Sequence, residues 1–154
     1  MRKAERLLLK SINAYKKGNL YVAKFYCNLL RIVFACDILY TADIDKSVQL
    51  IHNGLGCVFH PEVSIDENCK IYQNVTLGGN GKLIDGKVVN KGGPKIEKNV
   101  TVFSGACVLG PVTIGEGSIV GANAVVINNV PPNSIAVGIP ATIKPKRSEY
   151  NFNE

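Results

Sequence analysis

The chain has 154 residues, of which 46% are apolar, and it carries 18 Lys and Arg residues against 12 Asp and Glu residues. This length predicts a single domain with its own core. The most apolar stretch, residues 20–40, is interrupted by Lys24, Arg31 and Asp37, which excludes a membrane-spanning helix. The net charge of +6 accompanies no nucleic-acid-binding motif, so nucleic acid is not an expected partner.

The cysteines exclude a disulfide framework and a zinc site. They are five, an odd number, and they lack CxxC spacing. Small buried thiols in a reducing compartment are the expected reading, and together with the lack of a signal-peptide core they predict a cytoplasmic protein. The cysteines are Cys27, Cys36, Cys57, Cys69 and Cys107.

Two helices are predicted at the start of the chain. Residues 2–17 place Leu7, Leu8, Ile12 and Tyr15 at helical spacing, a break follows at Gly18–Asn19, and residues 20–35 form a second, more apolar helix. We expect this pair, residues 1–36, to cap the open end of the structure that follows. Its many basic residues are either a solvated face or a surface that attracts an anionic partner, and they make peripheral membrane contact an expectation.

A repeat of six residues dominates the rest of the chain. Large apolar side chains recur at this interval, and from Phe59 on small or β-branched ones follow each of them by four positions, except after Leu77, where Gly81 stands and the repeat is breaking up. Such a period suits short strands with a corner after each, three hexapeptides per coil, and coils stacked about 4.8 Å apart. The pattern predicts a mainly β fold, a parallel β-helix of about four coils over residues 37–145. The large positions are Ile38, Ile44, Leu50, then Phe59, Ile65, Ile71, Leu77, then Ile96, Val102, Val108, Ile114, Val120 and Val126.

Two segments depart from the repeat. Residues 79–93 hold five glycines and no inward apolar series, which predicts a loop that projects from the prism. At the other end, Pro131 and Pro132 are expected to lead the chain out of the β-helix, and residues 146–154 are expected to form a frayed tail.

His52 is the candidate catalytic residue. It stands where the six-residue register slips by three, within an open Asn-Gly-Leu-Gly sequence that lets a ligand approach. His60 precedes Pro61 and is expected to be an exposed corner residue. Asp37 lies fifteen residues before His52, so stacking would bring the two onto neighbouring coils, where a carboxylate can orient an imidazole general base. The alternative for Asp37 is a residue that ends the second helix.

Several motifs resemble those of the hexapeptide-repeat acyltransferases, most closely the serine O-acetyltransferase branch. They cover about residues 36–145 and read IYQNVTLGGNGK, GGPKI, SGACVLGPVTIGEGSIVGANAVV and VPPNSIAVGIPA. The resemblance implies a left-handed β-helix and a homotrimer, with acetyl-CoA bound between adjacent prisms as the acetyl donor and no metal required. It also implies that His52 and Asp37 inherit the catalytic roles.

The resemblance further implies a set of cofactor-binding positions. Since Thr142 replaces the final Arg of the family's VGIPAR motif, the basic residues that follow are left to meet the phosphates of coenzyme A. The expected cofactor-binding residues are Gly79, Ser104, Gly105, Ala122, Asn128, Lys144 and Lys146, with Arg147 as a further candidate.

Three departures from the branch bear on the acceptor. Serine acetyltransferases usually carry Asp directly before the catalytic His and Arg-His before Pro-Lys-Ile, whereas this chain has Ile51, Gly92 and Gly93. Without those polar groups, the ammonium or carboxylate of a bound serine would be left unpaired. Short family members with HNGLG and GGPKI, as in this chain, are also similar to the O-acetyltransferases of capsule and exopolysaccharide clusters. The sequence therefore favours a sugar hydroxyl, as a small molecule or glycan in polysaccharide biosynthesis.

Other functions stay open or are disfavoured. Serine O-acetylation in cysteine biosynthesis is the enzymatic alternative, and a non-catalytic β-helix scaffold is a second one. A γ-class carbonic anhydrase needs three zinc histidines per site, and the two histidines of this chain disfavour it.

Overall fold

A computed structural model describes residues 1–81, 83–88 and 92–146. Two α-helices precede a series of very short strands and one 3-10 turn. The helices are α1 (Lys3–Lys16) and α2 (Leu20–Phe34), and the 3-10 turn is Ile51–Gly54. The strands are β1 (Asp43–Ile44), β2 (Gln49–Leu50), β3 (Val58–Phe59), β4 (Ser64–Ile65), β5 (Lys70–Ile71), β6 (Thr76–Gly78), β7 (Leu83–Ile84), β8 (Lys87–Val88), β9 (Lys95–Ile96), β10 (Thr101–Val102), β11 (Cys107–Leu109), β12 (Thr113–Ile114), β13 (Ile119–Val120), β14 (Val125–Val126), β15 (Ser134–Val137) and β16 (Thr142–Pro145).

The strands build the three faces of a parallel β-helix. Face 1 stacks β3, β6, β11 and β14, face 2 stacks β1, β4, β9 and β12, and face 3 stacks β2, β5, β10, β13 and β15. Every neighbouring pair within these stacks is parallel, with large apolar residues in register, such as Val102 beside Ile71 and Val120. The six-residue repeat therefore corresponds to one strand and one corner, as predicted.

The inward register is confirmed by burial. Each large position of the repeat is buried, and so are the small positions four residues later from Val63 to Val130, except Gly81, which is exposed. Corners between strands place Asn68, Asn74, Asn99 and Asn123 at φ between 55° and 59°, a left-handed conformation that Asn tolerates better than most residues. The core is thus one continuous stack of side chains along the prism axis.

The expected exit of the chain at Pro131 is wrong. Beyond the two prolines, β15 still pairs in parallel with β13 and adds a fifth layer, where the sequence predicted about four. The physical reason is Ser118, whose buried hydroxyl donates to the Pro131 carbonyl oxygen and accepts from the Ser134 N–H. Ser118 thus supplies hydrogen-bond partners to the backbone at this corner, where the two prolines have no N–H to donate. The chain then reverses, and β16 pairs antiparallel with β15.

The opposite end of the prism is covered by α1. Ala4, Leu8 and Ile12 pack in the same core cluster as Ile44 and Leu50 of the first coil. The buried Glu5 carboxylate accepts the Leu50 N–H at 2.9 Å and the Arg2 N–H at 2.6 Å. An unpaired backbone donor at the edge of the first coil is thereby satisfied by a helix side chain. The residue limits of cap, prism and tail stay a prediction.

Replacing Glu5 with alanine is expected to lower the free energy of unfolding by about 1–3 kcal/mol, because the Leu50 N–H would be left buried without an acceptor. Urea unfolding followed by circular dichroism measures this. Glu116 is exposed, and Glu116→Ala is the control, with an expected change within about 0.5 kcal/mol. Equal destabilisation of the two variants would contradict the role assigned to Glu5.

Three core thiols give the fold a pH dependence. Burial raises the pKa of Cys36 to about 11 and the pKa values of Cys57 and Cys69 to about 12, from an ordinary value of 9.0. Unfolded thiols ionise first as pH rises, so this stabilisation is complete below about pH 9 and is lost progressively toward about pH 12. We expect the unfolding free energy to fall by about 1.4 kcal/mol per pH unit for each such thiol within that window.

Urea unfolding at pH 8 and pH 10 tests this dependence. Cys57→Ala removes one of the three groups, so its stability should depend less steeply on pH than that of the parent. Identical slopes for the parent and the variant would show that the Cys57 thiol does not contribute.

The excursion between β6 and β9 is partly structured. It contains the antiparallel hairpin β7–β8, which the sequence did not predict. The chain then returns to the prism, where the Gly92 N–H donates to the Glu62 carboxylate. Residues 82 and 89–91 of the expected loop lie outside the described residues. Across the described part of the chain, neither helix has the length and hydropathy needed to cross a membrane.

Candidate functional site

His52 stands on one edge of the prism, which we call the His52 corner. It comprises the residues that follow the strands of face 3, namely 51–56, 72–74, 103–105 and 121–123. His52 is exposed and has φ 54° and ψ 35°, and Asn53 follows with φ 58° and ψ 21°. Two successive left-handed residues without a glycine cost of order 1–2 kcal/mol each. The slip in the repeat is thus built as a strained turn that pushes the imidazole out of the core.

An aromatic row adjoins His52 along the corner. The Tyr72 ring lies edge-on to the imidazole with 6.2 Å between ring centroids, and Phe103 lies 4.9 Å beyond Tyr72. Sequence reasoning missed both residues. The signal was present, since each follows a large position of the repeat by one residue. The slip before Phe59 and the excursion after β6 hide the stacking, since 20 residues separate His52 from Tyr72 and 31 separate Tyr72 from Phe103, in place of the eighteen of a regular coil.

Asp37 lies beside the corner, but its carboxylate is turned to α2. Its backbone pairs with Val58, and the preceding Cys36 thiol donates to the Gly54 carbonyl oxygen within the His52 turn. The carboxylate accepts from the Arg31 guanidinium at 2.5 Å. Among the described residues, no hydrogen bond joins Asp37 to His52. The two predicted catalytic residues are therefore brought to neighbouring coils, where no hydrogen bond is described between them.

The Arg31–Asp37 ion pair holds the Asp37 carboxylate only weakly. Both side chains are about half exposed, at 49% and 48%. Exposed pairs of this kind contribute only about 0–1 kcal/mol. The Asp37 carboxylate can therefore turn away from Arg31 at little cost.

His60 has a structural place. It is half-buried at the corner after face 1, and its Nδ1 accepts the Glu62 N–H at 3.1 Å. Its ring thus closes the turn that contains Pro61, and it is less exposed than the sequence suggested.

Three of the expected cofactor residues share the edge with His52. Ser104 and Ala122 occupy equivalent positions in successive coils, where the Asn123 N–H donates to the Ser104 carbonyl oxygen. Gly105 has φ 71°, and a Cβ there would lie 2.1 Å from the Asn123 amide oxygen. Gly105 is therefore required by close packing of the two coils, whatever it contacts outside.

The other expected cofactor residues lie elsewhere. Gly79 and Asn128 follow strands of face 1, so they border the opposite edge of that face. Lys144 is exposed on β16, and the Lys146 ammonium donates to the Gly117 carbonyl oxygen at 2.9 Å. Arg147 lies outside the described residues. The residues expected to bind the cofactor therefore flank both edges of face 1 and reach the end of the prism.

The three positions that depart from the serine acetyltransferase pattern are Ile51, Gly92 and Gly93. Ile51 is half-buried next to His52. A Cβ on Gly93 would come within 2.8 Å of the Val63 backbone nitrogen, so only glycine fits there without a shift of the backbone. Gly92 has φ 79°, a conformation that side chains strain to adopt. The backbone conformation and packing at Gly92 and Gly93 therefore favour glycine over the Arg-His of serine acetyltransferases.

Two grooves of the described chain lie away from His52. Grooves of 510 and 590 Å³ lie where α1 meets the first coil, and His52 lines neither of them. Within the described ranges, no three His, Cys, Asp or Glu side chains are grouped so as to hold a metal ion. An exposed imidazole on a convex edge can accept a proton from a ligand that a neighbouring surface encloses.

The repeat matches a known family. The family described as bacterial transferase hexapeptide (six repeats) matches residues 93–128. The serine acetyltransferase of Salmonella typhimurium is 36% identical over 129 residues, covering 84% of this chain and 45% of the relative. The serine acetyltransferase of Staphylococcus xylosus is 39% identical over 129 residues, covering 84% and 57%. The chain spans about half the length of these relatives.

Solved structures of serine acetyltransferases also superpose on this chain. Soybean serine acetyltransferase complexed with serine superposes with a TM-score of 0.80 and 34% identity, covering 92% of this chain and 56% of that one. The Brucella abortus strain S19 enzyme in complex with coenzyme A gives a TM-score of 0.80 and 28% identity, covering 93% and 55%. The prism shares their left-handed β-helix, as the resemblance implied. The chain therefore belongs to the hexapeptide-repeat acyltransferases, on their serine acetyltransferase-like branch.

Proposed function

We propose that this chain is an acetyl-CoA-dependent O-acetyltransferase and that His52 is its general base. The observation that carries the proposal is the exposed imidazole on a strained turn, on the same prism edge as Ser104 and Ala122. His52 takes the proton of the acceptor hydroxyl as its oxygen attacks the thioester carbonyl. The thiolate of coenzyme A then leaves and receives that proton from the imidazolium. Asp37 orients the imidazole after leaving Arg31.

Serine is the acceptor that we propose first. The relatives and structures that support the family are serine acetyltransferases, and the soybean structure is a complex with serine. They give no support to the sugar acceptor expected from the sequence, which takes second place. Acetyl-CoA as donor is supported by the Brucella abortus complex with coenzyme A.

A sugar hydroxyl remains the second candidate because of Ile51, Gly92 and Gly93. A serine ammonium or carboxylate beside an isoleucine and two glycines lacks the partners that would offset its desolvation. A neutral sugar carries no such charge. The polysaccharide role expected from the sequence depends on this point and on the resemblance to short O-acetyltransferases of capsule and exopolysaccharide clusters.

Release of free thiol from acetyl-CoA tests both acceptors. Serine and a panel of sugars are compared at equal concentrations with the same preparation. Thiol release above the hydrolysis background with serine supports the first proposal, and release with a sugar alone supports the second. A background rate with every acceptor, under conditions where the chain is folded, would contradict transferase activity.

We propose that the active unit is a homotrimer with the site shared between chains. His52 lies on a convex edge, and a pantetheine arm is long and thin, so a groove between two prisms can enclose it where one prism cannot. Threefold closure gives three such grooves. Gly79 and Asn128 border the other edge of face 1, and we propose that they line the groove from a neighbouring chain.

Light scattering is expected to give a mass of about three times 16.6 kDa, unchanged on dilution through the micromolar range. The same samples are assayed for thiol release. A stable monomer with full activity would show that one chain completes the site.

We place this reaction in the cytoplasm. The thiols of Cys27, Cys36, Cys57 and Cys69 are buried and unpaired, which suits a reducing compartment.

A further inference from the structure

The first 36 residues concentrate the positive charge of the chain. They contain eight of the 18 Lys and Arg residues and one of the 12 Asp and Glu residues, so they carry +7 and the remainder carries −1. That one acidic residue, Glu5, is buried against Arg2 and the Leu50 N–H. The outward charge of the helical pair is therefore positive.

The outer face of α2 is apolar. Ala23, Cys27 and Leu30 are buried against the molecule. At 100° per residue, Tyr21, Phe25 and Ile32 project from the opposite side, and they are 90%, 63% and 82% exposed. Three large apolar side chains grouped on one exposed helix face indicate a contact surface and not an ordinary solvated face.

A row of cations adjoins this apolar face. Lys3, Arg6 and Lys10 recur along one side of α1, and they line a groove of 310 Å³ together with Leu29 and Val33 of α2. The Lys10 ammonium also lies 5.3 Å from the centroid of the Tyr26 ring. Basic and apolar side chains thus form one outer surface across both helices, which we call the α1–α2 surface.

We propose that the α1–α2 surface docks on a membrane rich in anionic lipids. Phe25, Ile32 and Tyr21 would enter the boundary between headgroups and acyl chains, while the α1 cations contact lipid phosphates. This interaction is independent of the proposed acetyl transfer. It would hold the prism at a membrane surface.

A second copy of this chain is the competing occupant. A twofold contact brings identical patches together, so the cationic rows of both copies would face the same small region. Repulsion of like charges opposes that contact, whereas phosphate headgroups attract the same row. The charge of the surface therefore favours lipid over a second copy.

Co-sedimentation of the full chain with lipid vesicles tests the proposal. We expect binding to vesicles of phosphatidylcholine with phosphatidylglycerol, little binding to phosphatidylcholine alone, and release as salt rises above about 0.1 M. Changing Lys3, Arg6 and Lys10 together to glutamine should weaken binding about a hundredfold, about fivefold for each charge. The matched control changes Lys87, Lys95 and Lys98 to glutamine and should bind as the parent does.

The apolar half of the surface has its own variants. Phe25→Ser with Ile32→Ser should weaken vesicle binding by at least about tenfold. The control, Leu83→Ser with Ile139→Ser, removes side chains that are 63% and 74% exposed elsewhere and should leave binding unchanged. Circular dichroism verifies that all four variants are folded.

Three results would overturn the proposal. The first is a parent chain that does not bind anionic vesicles. The second is equal binding by the surface variants and their controls. The third is a Phe25→Ser, Ile32→Ser variant that keeps its vesicle binding but has a lower mass by light scattering without lipid, which would assign the face to a second copy.

Discussion

Replacing His52 with alanine is expected to lower the rate of acetyl transfer by at least about 100-fold while the protein stays folded. The imidazole is exposed, so its removal opens no cavity in the core. Loss of the general base leaves the hydroxyl to attack the thioester without assistance. The measurement is the rate of thiol release from acetyl-CoA at saturating acceptor.

His60→Ala is the matched control, because His60 closes a turn on another corner and should keep the parent rate. Asp37→Asn should lose less activity than His52→Ala, since orientation is weakened and the proton acceptor remains. Full activity of the His52 variant would remove this residue from the mechanism. Full activity of the Asp37 variant would leave Asp37 as the partner of Arg31 alone.

Changing Ile51 to aspartate is expected to lower the KM for serine by about 10- to 100-fold with a smaller effect on kcat. A carboxylate next to His52 would supply the missing partner for the serine ammonium, and a hydrogen bond to a charged group contributes about 1.5–3 kcal/mol. The KM for acetyl-CoA should not change. Steady-state kinetics with serine varied at fixed acetyl-CoA measure both constants.

Ile51→Asn separates charge from shape, because asparagine has a similar size and no charge. A lower KM in both variants would attribute the effect to space and not to the ammonium. Turnover of sugars by the parent, with no turnover of serine by the parent or by either Ile51 variant, would reject serine and leave the second candidate. Gly93 is unsuited to such a test, since any side chain there meets the Val63 backbone.

The repeat was predictable because it reflects a simple requirement. A prism three strands around has one large inward residue per strand, so positions such as Ile71, Val102 and Val120 could be read from spacing alone and are all buried. Handedness could not be read in this way, since a period of six fits either hand. It came from the family resemblance.

The extra layer and the hairpin escaped prediction for different reasons. Pro131 and Pro132 remove backbone donors and so resemble an exit. The Ser118 hydroxyl that satisfies their corner comes from the preceding coil. The β7–β8 hairpin had a local signal in Asp85-Gly86, a two-residue turn in which both residues have positive φ, but its strands are too short to show apolar alternation. The contact that decides the extra layer is thus distant in sequence, whereas the hairpin strands have two residues each and leave no pattern.

The candidate site was predicted in position but not in detail. His52 was found because the register slips there, which is a property of the sequence. The contact of Asp37 with Arg31 depends on the rotation of a half-exposed side chain, and spacing carries no information on that. Tyr72 and Phe103 were missed because two interruptions separate residues that the coils stack together.

Both ends of the coil stack are closed by groups from the same chain. Glu5 takes the free N–H at the first coil, and β16 covers β15 by running against it. A stack of parallel coils has no internal reason to stop, because each coil offers the next the same edge. The end caps therefore determine where the coil stack stops, and the number of coils between them is independent of the caps.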